Sequence, residues 1–331
     1  MRTKWKPLLI ASVMTLMMAL AVGCGGTGPT DNPGPQPSES PYGELCIEDV
    51  TVWIGSNTNK SATFAEIDPI FTKPDKAETL AYTYDTSALK IEDNVVTPLK
   101  RSEETINVRA ESEHFNTVFQ VNVKLAKMSG EGRLDQYNVN AFNYAGQANA
   151  CKAVTENTTL LLGDSFMDDY FIKDYMSTYA AGKDVINAGI SSTTSWHWEV
   201  FFPQVIGKTA PKNIAFHIGT NNFYDVPHDS VEEAEESLTR LMMFLHTTYP
   251  SSNIYWFNIT QRENTAYSTQ VDETNTYMAN WCARYDWITC VDTASKVTTG
   301  MLKDGVHPET ENYKVFTDAL VAAGCEIVAK A

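Results

Sequence analysis

The chain has 331 residues, of which 43% are hydrophobic and 20% are charged, and its formal net charge is -16 at pH 7. This composition is typical of a folded globular protein and excludes a wholly disordered chain. The acidic balance argues against a nucleic-acid partner, because phosphate binding needs a basic surface.

Residues 1–23 have the pattern of a secretory signal peptide. Three basic residues precede an almost wholly apolar run from Leu8 to Val22, which is too short for a mature membrane span. Residues 20–24, Leu-Ala-Val-Gly-Cys, resemble the bacterial lipobox, and this implies cleavage before Cys24 and a lipid on its sulfur. The alternative is a plain signal peptide with an incidental cysteine. We therefore expect an exported lipoprotein at the surface or envelope of a bacterium, with the membrane as a partner through Cys24.

Two segments of different character follow. Residues 24–44 are rich in Gly, Pro, Ser and Thr, which predicts a flexible linker. Residues 45–127 carry about seven short β-type runs separated by turn-forming residues, which predicts a β-sandwich. The order of these runs resembles that of bacterial immunoglobulin-like domains. The segment shows no catalytic cluster, and Trp53 is interpreted as a core residue.

Beyond a boundary at residues 127–133, apolar strands alternate with helices, which predicts an α/β domain over residues 134–331. The predicted strands are Thr159–Leu162, Val185–Ala188, Ile214–Ile218, Ile254–Asn258 and Trp287–Val291. The predicted helices are Val231–Tyr249, Val271–Arg284, Asn312–Ala323 and one that begins at Asp168 and Asp169. Because the strands are apolar on both faces, we expect a parallel sheet covered by helices on both sides. Ligands in such folds bind beyond the carboxyl ends of the strands.

Chemically useful residues follow the predicted strands. Ser165 ends the run Gly-Asp-Ser after the first strand, Gly189 follows the second, and Asn221 follows the third. Asp304 and His307 stand close to the C-terminus in Asp-Gly-Val-His. A serine, a histidine and an acid are the parts needed for nucleophilic acyl transfer, since a serine hydroxyl attacks only when a base takes its proton.

The four blocks in this order resemble the GDSL, or SGNH, hydrolase superfamily, over roughly residues 134–331. The stretch from Asn187 to Thr194 looks like the branch related to platelet-activating-factor acetylhydrolase. The resemblance implies a flavodoxin-like three-layer fold. It also implies a catalytic triad of Ser165, His307 and Asp304. It further implies an oxyanion hole formed by the backbone N–H groups of Ser165 and Gly189 and by the side-chain amide of Asn221.

One position departs from the family pattern, because Asn222 stands where the family usually has Asp. This puts the support of the oxyanion loop in doubt. Aromatic residues near these loops, Trp196, Trp198 and Phe223, are expected either to line the substrate pocket or to pack the loops together. His217 lies in an apolar strand and is interpreted as a core residue.

The cysteines leave two interpretations open. Beyond Cys24 there are five, an odd number, namely Cys46, Cys151, Cys282, Cys290 and Cys325. Export permits a bridge, with Cys282 and Cys290 as one candidate pair, whereas five buried thiols are the alternative. No Cys-x-x-Cys spacing is present, and Asp168 and Asp169 suit a helix N-terminus better than a metal site. We expect neither a metal nor a cofactor.

The sequence thus predicts an extracellular serine esterase for small acyl esters, such as acetyl groups on a polysaccharide. An α/β-hydrolase is excluded, because its Gly-x-Ser-x-Gly motif would need glycine where Met167 stands. A lipase or lysophospholipase is one alternative, against which the absence of a long apolar lid segment counts. A surface binding lipoprotein with weak or no catalysis is the other. The intact serine, acid and histidine argue against it, while Asn222 and the β-sandwich leave it open.

Overall fold

The computed structural model describes residues 40–55, 61–126, 144–224 and 228–327. Residues Tyr42–Ala331 form one compact unit. The predicted signal peptide, Cys24, most of the linker and the boundary at residues 127–133 lie outside the described residues. The domain limits and the lipid anchor therefore stay predictions. No helix in the described ranges is both long enough and apolar enough to cross a membrane.

Residues 42–126, here called the β region, are built from short strands. These are β1 (Leu45–Cys46), β2 (Val50–Ile54), β3 (Ala65–Glu66), β4 (Ile70–Phe71), β5 (Ala81–Thr83), β6 (Leu89–Glu92), β7 (Val95–Pro98), β8 (Glu104–Glu111) and β9 (Asn116–Leu125). One sheet has the order β2-β9-β8-β5, with β2 and β9 parallel and the other neighbours antiparallel. A second, antiparallel sheet has the order β3-β7-β6, and β1 pairs with β4.

The two larger sheets of the β region share one hydrophobic core. Val52 of β2, Val108 of β8 and Val121 of β9 come from the first sheet, while Leu89 and Val96 come from the second. Along β8 and β9 alternate residues are buried, as expected for strands with one face on a core. The immunoglobulin-like topology stays a prediction.

Residues 144–327, here called the α/β region, contain a five-stranded parallel sheet. Its strands are β10 (Thr159–Gly163), β11 (Val185–Asn187), β12 (Asn213–His217), β13 (Asn253–Phe257) and β14 (Ile288–Val291). The helices are α1 (Ala145–Cys151), α2 (Asp169–Tyr179), α3 (Ser195–Ile206), α4 (Thr220–Tyr224), α5 (Val231–Thr248), α6 (Ser268–Cys282) and α7 (Lys314–Ala322). The strand order β11-β10-β12-β13-β14 is the flavodoxin-like order 2-1-3-4-5.

The sheet is buried on both faces. Leu160, Ile214 and Trp256 belong to a core on one side, with side chains from α3, α5 and α6. Their neighbours Leu161 and Ala215 belong to a core on the other side, with side chains from α2 and α7. This alternation follows from the period of two along a strand. The predicted parallel sheet between two helical layers is confirmed.

Arg240 of α5 connects the two regions. Its guanidinium donates to both carboxylate oxygens of Glu199 in α3, over 2.8 and 3.0 Å. The same group lies over the ring of Trp53 in β2, 4.4 Å from the ring centroid. Arg240 is 3% exposed and Glu199 is 4% exposed. Each of these buried charges is compensated by the other in a bidentate ion pair. Farther along α5, the Thr247 hydroxyl donates to the Ala62 carbonyl at 2.8 Å.

All five cysteines in the described ranges are free thiols, so the candidate bridge between Cys282 and Cys290 is not formed. Burial raises the pKa of Cys282 to about 12 and that of Cys290 to about 11. The thiol alternative therefore applies, except that Cys46 is exposed and Cys290 is only partly buried.

Candidate active site

Ser165 lies in a tight turn directly after β10. At Gly163 the backbone has φ of 131°, and a Cβ atom there would stand 1.7 Å from the carbonyl oxygen of His217 in β12. Only glycine allows the two strands to approach this closely. The Asp164 backbone N–H then donates to that same carbonyl at 3.0 Å, and the Asp164 carboxylate accepts from the Phe166 N–H at 3.0 Å. These contacts hold Ser165 in a short 3₁₀ turn, with 8% of its surface exposed.

A buried acid–imidazole pair lies behind this turn. Asp164 Oδ1 and His217 Nδ1 are 2.9 Å apart, and both side chains are fully buried. The ring of Phe166 stacks on the His217 ring with centroids 4.1 Å apart. His217 is thus a core residue, as predicted, and it anchors the aspartate that shapes the serine turn.

Ser165, His307 and Asp304 form a continuous chain of hydrogen bonds. Ser165 Oγ is 2.7 Å from His307 Nε2, and His307 Nδ1 is 2.8 Å from Asp304 Oδ2. A carboxylate only accepts, so Nδ1 carries the proton, and Nε2 is left to accept from the serine hydroxyl. The other oxygen of Asp304 accepts the N–H groups of Val306 and His307, at 3.0 and 2.7 Å.

The imidazole of His307 is held by stacking as well as by hydrogen bonds. The ring of Phe171 in α2 lies against it, with centroids 3.7 Å apart and an interplanar angle of 18°. Burial lowers the pKa of His307 below its ordinary value, although the Asp304 carboxylate acts in the opposite direction. Burial also opposes the charge of Asp304, but hydrogen bonds from His307 and Val306 outweigh it and lower the Asp304 pKa. A neutral imidazole beside a charged carboxylate is the state that a general base requires.

The loop after β11 packs tightly on the serine turn. A Cβ atom at Gly189 would stand 2.2 Å from the carbonyl group of Met167, so a side chain there would push the two segments apart. Asp168 caps α2 by accepting the Tyr170 N–H at 2.9 Å, and its second oxygen accepts the N–H and O–H of Ser191. The predicted helix N-terminal role of Asp168 is confirmed. Among the described residues, no group of three or more His, Cys, Asp or Glu side chains could hold a metal ion.

Asn221 lies in α4, the short helix that follows β12, and both ends of its side-chain amide are hydrogen-bonded. Its Nδ2 donates to the Thr193 carbonyl at 3.0 Å, and its Oδ1 accepts from Arg262 Nη2 at 2.9 Å. Arg262 also donates through Nε to the Thr220 hydroxyl at 3.0 Å. Arg262 was not predicted from the sequence, because no motif marks it. Its place shortly after the end of β13, at the same edge of the sheet as Ser165, was the available clue.

Asp229 supplies the carboxylate that Asn222 lacks. Asn222 Nδ2 donates to Asp229 Oδ2 at 2.6 Å and to the Ser195 hydroxyl at 2.7 Å, while its Oδ1 accepts the Ser195 N–H at 3.2 Å. Trp196 Nε1 donates to the same Asp229 oxygen at 3.0 Å. Asn222 and Asp229 are 1% and 6% exposed. The segment that carries Asn221 and Asn222 is therefore supported by a buried acid, Asp229, which lies seven positions after Asn222.

Two of the three aromatic residues expected at a pocket do not line one. Trp198 and Phe223 are fully buried, so the pocket prediction is wrong for both. Trp198 donates to the Thr193 hydroxyl at 3.0 Å and packs on Phe216, because the helix after the Gly189 loop turns this face inward. Trp196 is partly exposed, but its indole bonds Asp229 and lies under Arg240. The contacts of Trp196 and Trp198 fit the alternative role, which is packing the loops.

The chain matches no protein-family model and no curated protein. Among solved structures it is similar to a catalytic mutant of an acetylxylan esterase from Geobacillus stearothermophilus, at 18% identity and a TM-score of 0.43, over 54% of this chain and 100% of that one. It is also similar to a GDSL-like lipase from Bacteroides thetaiotaomicron, at 16% identity and a TM-score of 0.45, over 55% and 96% of the two chains. A lipolytic protein of the G-D-S-L family from Veillonella parvula follows, at 13% identity and 0.42, over 50% and 96%.

The hydrogen bonds of His307 lead to a titration prediction. We expect its ring to titrate below 6.5, the ordinary histidine pKa, because burial lowers its pKa. In Asp304→Asn the pKa should fall further, because the carboxylate that favours the charged ring is gone. NMR titration of the ring, assigned with His307→Gln, measures both values. A wild-type value of 6.5 or more, or a rise in Asp304→Asn, would contradict the prediction.

The contact between Asn222 and Asp229 leads to a charge-swap prediction. Asn222→Asp places two carboxylates within hydrogen-bond distance in a buried site, so we expect a loss of about 1–3 kcal/mol in the free energy of unfolding. In the double variant Asn222→Asp, Asp229→Asn one charge is left, and most of the loss should be regained. Unfolding of the two variants and the wild type by denaturant at pH 7 measures this. A single variant as stable as wild type would sink the prediction, as would a double variant no more stable than the single.

Proposed function

We propose that the protein is a serine ester hydrolase of the GDSL, or SGNH, type. The observation that carries the proposal is the hydrogen-bonded chain from the Ser165 hydroxyl through His307 to Asp304. A nucleophile, a base and an orienting acid in this geometry are the requirements for acyl transfer to a serine. The four sequence blocks that resemble the superfamily support the same class.

In the first half of the reaction the Ser165 oxygen attacks the ester carbonyl carbon. His307 Nε2 takes the hydroxyl proton as the new C–O bond forms, and the carbonyl electron pair moves onto oxygen. Asp304 stabilises the imidazolium and keeps the ring in place. The imidazolium then gives its proton to the leaving alcohol oxygen as the ester C–O bond breaks, which leaves an acyl group on Ser165.

In the second half a water molecule replaces the alcohol. His307 takes a proton from water while the water oxygen attacks the acyl carbon, and the proton then returns to Ser165 as the acid departs. Both tetrahedral intermediates carry a negative oxygen that needs hydrogen-bond donors. We assign these donors to the backbone N–H groups of Ser165 and Gly189 and to the Asn221 amide. Loss of one such donor costs about 10²–10³-fold in kcat.

The proposed substrates are esters of small acyl groups, such as acetyl groups on carbohydrate. The charged side chains Arg262 and Glu263 lie on the loop after β13, and the Glu263 N–H donates to Gly305 in the loop of His307 at 2.9 Å. Polar and charged groups beside a site suit polar alcohols better than long acyl chains, which need apolar surface. Trp198 and Phe223, the candidate apolar lining, are buried elsewhere.

Hydrolysis of p-nitrophenyl esters tests the class and the acyl length together. The wild type should hydrolyse the acetate fastest, with rates that fall as the acyl chain lengthens. Ser165→Ala should lose at least about 10³-fold in kcat, because the nucleophile is gone. Ser177→Ala removes a hydroxyl from the exposed face of α2 and serves as the matched control, with unchanged rates. Equal rates in wild type and Ser165→Ala would refute the esterase, and rates that rise with chain length would favour the lipase alternative.

We also propose that the protein is an exported lipoprotein anchored through Cys24, with an immunoglobulin-like β region and no nucleic-acid partner. The support is the sequence pattern of residues 1–24 and the acidic charge. After expression in a bacterium, Cys24→Ala should move the protein from the membrane fraction to the soluble fraction. Ser12→Ala within the apolar run is the control and should stay with membranes. Membrane partition that is unchanged in Cys24→Ala would exclude lipidation.

A further inference from the structure

The loop after β13 is held rigidly at three points. Asn275 of α6 exchanges two hydrogen bonds with the backbone of Ile259, each 2.8 Å long. The Gln261 amide donates to Asp272 of α6 at 2.8 Å, and the Glu263 N–H donates to the loop of His307. Arg262 lies between these fixed points, and its guanidinium rests on the ring of Tyr224, 4.2 Å from the centroid. Its position is therefore set before any ligand binds.

Arg262 reaches the site through two directed hydrogen bonds. Nε donates to the Thr220 hydroxyl at 3.0 Å, and Nη2 donates to Asn221 Oδ1 at 2.9 Å. Thr220 is fully buried and Asn221 is 4% exposed, so the accepting side of these contacts is shielded from water, while Arg262 is partly exposed. A planar guanidinium donates along fixed directions, and it cannot lose its proton in a protein.

We propose that Arg262 is a positioning residue for the reaction, holding the Asn221 carboxamide so that one of its N–H bonds is directed at the oxyanion. This inference rests on the proposed function. An amide has one accepting and one donating end. With Oδ1 turned to Arg262, Nδ2 faces the Thr193 carbonyl and donates to it at 3.0 Å.

The reversed amide is disfavoured on both sides. Oδ1 would then face the Thr193 carbonyl oxygen, and Nδ2 would face the donating guanidinium, so two acceptors and two donors would oppose each other. In the observed orientation one N–H of Asn221 serves Thr193, and the second is the one that can donate to the oxyanion. The fixed charge behind Oδ1 also polarises the amide toward stronger donation.

Arg262 also acts on His307 through its charge. Burial is the main cause of the lowered pKa of His307, and the charge of Arg262 lowers that pKa further, against the effect of Asp304 and Asp164, because a cation disfavours the imidazolium. This gives a readout that a purely structural role would not change. Removing the charge should raise the His307 pKa, whereas replacing arginine by lysine should keep it.

Kinetics of Arg262→Met and Arg262→Lys on p-nitrophenyl acetate test the proposal. Arg262→Met should lower kcat on the order of 10- to 100-fold, somewhat less than outright loss of a donor, with little change in KM. Arg262→Lys keeps the charge but not the directed fork, so it should keep the acid limb of the pH profile and still lose kcat. In Arg262→Met the acid limb should move to higher pH. Arg284→Met, at an exposed arginine of the α/β region, is the matched control and should behave as wild type.

A double-mutant cycle with Asn221→Ala identifies the route of the effect. If Arg262 acts through Asn221, Arg262→Met should cost little once the amide is gone. A full cost in that background, or an unchanged kcat in Arg262→Met alone, would overturn the proposal. Thermal unfolding of each variant separates a folding defect from a loss of positioning.

An NMR measurement keeps this inference separate from the proposed function. Protection of the Asn221 side-chain amide from hydrogen exchange needs no turnover, and it should be lower in Arg262→Met than in wild type, because only the Thr193 contact then holds the amide. A wild type that hydrolyses esters no faster than Ser165→Ala would refute the proposed function. An equally protected amide in Arg262→Met would refute the positioning role, whatever the activity.

Discussion

The arrangement around Ser165 depends on how closely two strands approach at their carboxyl ends. At Gly163 the backbone of β10 lies so near the His217 carbonyl that no side chain fits between them. This contact places Asp164 against His217, and the buried pair that they form shapes the turn that carries Ser165. Because β12 is followed within four residues by Asn221, the same contact also fixes where the segment that carries Asn221 leaves the sheet. One glycine thus sets the spacing of the segments that carry Ser165 and Asn221, and a side chain there would force both strands to move.

The surroundings of Asn222 show how a carboxylate from another position can support this segment. Asn222 has no charge, yet a buried carboxylate still contacts this segment. The carboxylate belongs to Asp229, which lies just before α5. The side chain of Asn222 connects two segments, because it donates to Asp229 and accepts from the Ser195 backbone N–H. The sequence shows only a neutral residue at position 222, whereas the structure shows the acid with which it is paired. Arg262 likewise provides a charged partner for Asn221, because it donates to Oδ1 of the Asn221 amide.

Prediction from the sequence succeeded where burial alone dictates the pattern. The five strands of the α/β region are apolar on both faces, and each predicted strand lies within one residue of its observed bounds. Isolated two-residue strands such as β1 and β4 carry no periodic pattern and were not predicted. The aromatic residues Trp198 and Phe223 were misplaced, because a sequence shows their proximity to a loop but not the direction in which a helix turns them. Arg262 and Asp229 were missed for a related reason: each acts through a contact with a residue that is distant in the chain or lies across a turn.

Arg240 connects the β region to residues close to the site. Its guanidinium lies between Trp53 of the β region and Trp196, and the Trp196 indole bonds Asp229, which supports Asn222. Trp53 is therefore one end of a chain of contacts. The other end is Asn222, the sequence neighbour of Asn221. A domain that replaced the β region would have to supply a ring in the place of Trp53, because Arg240 is almost fully buried.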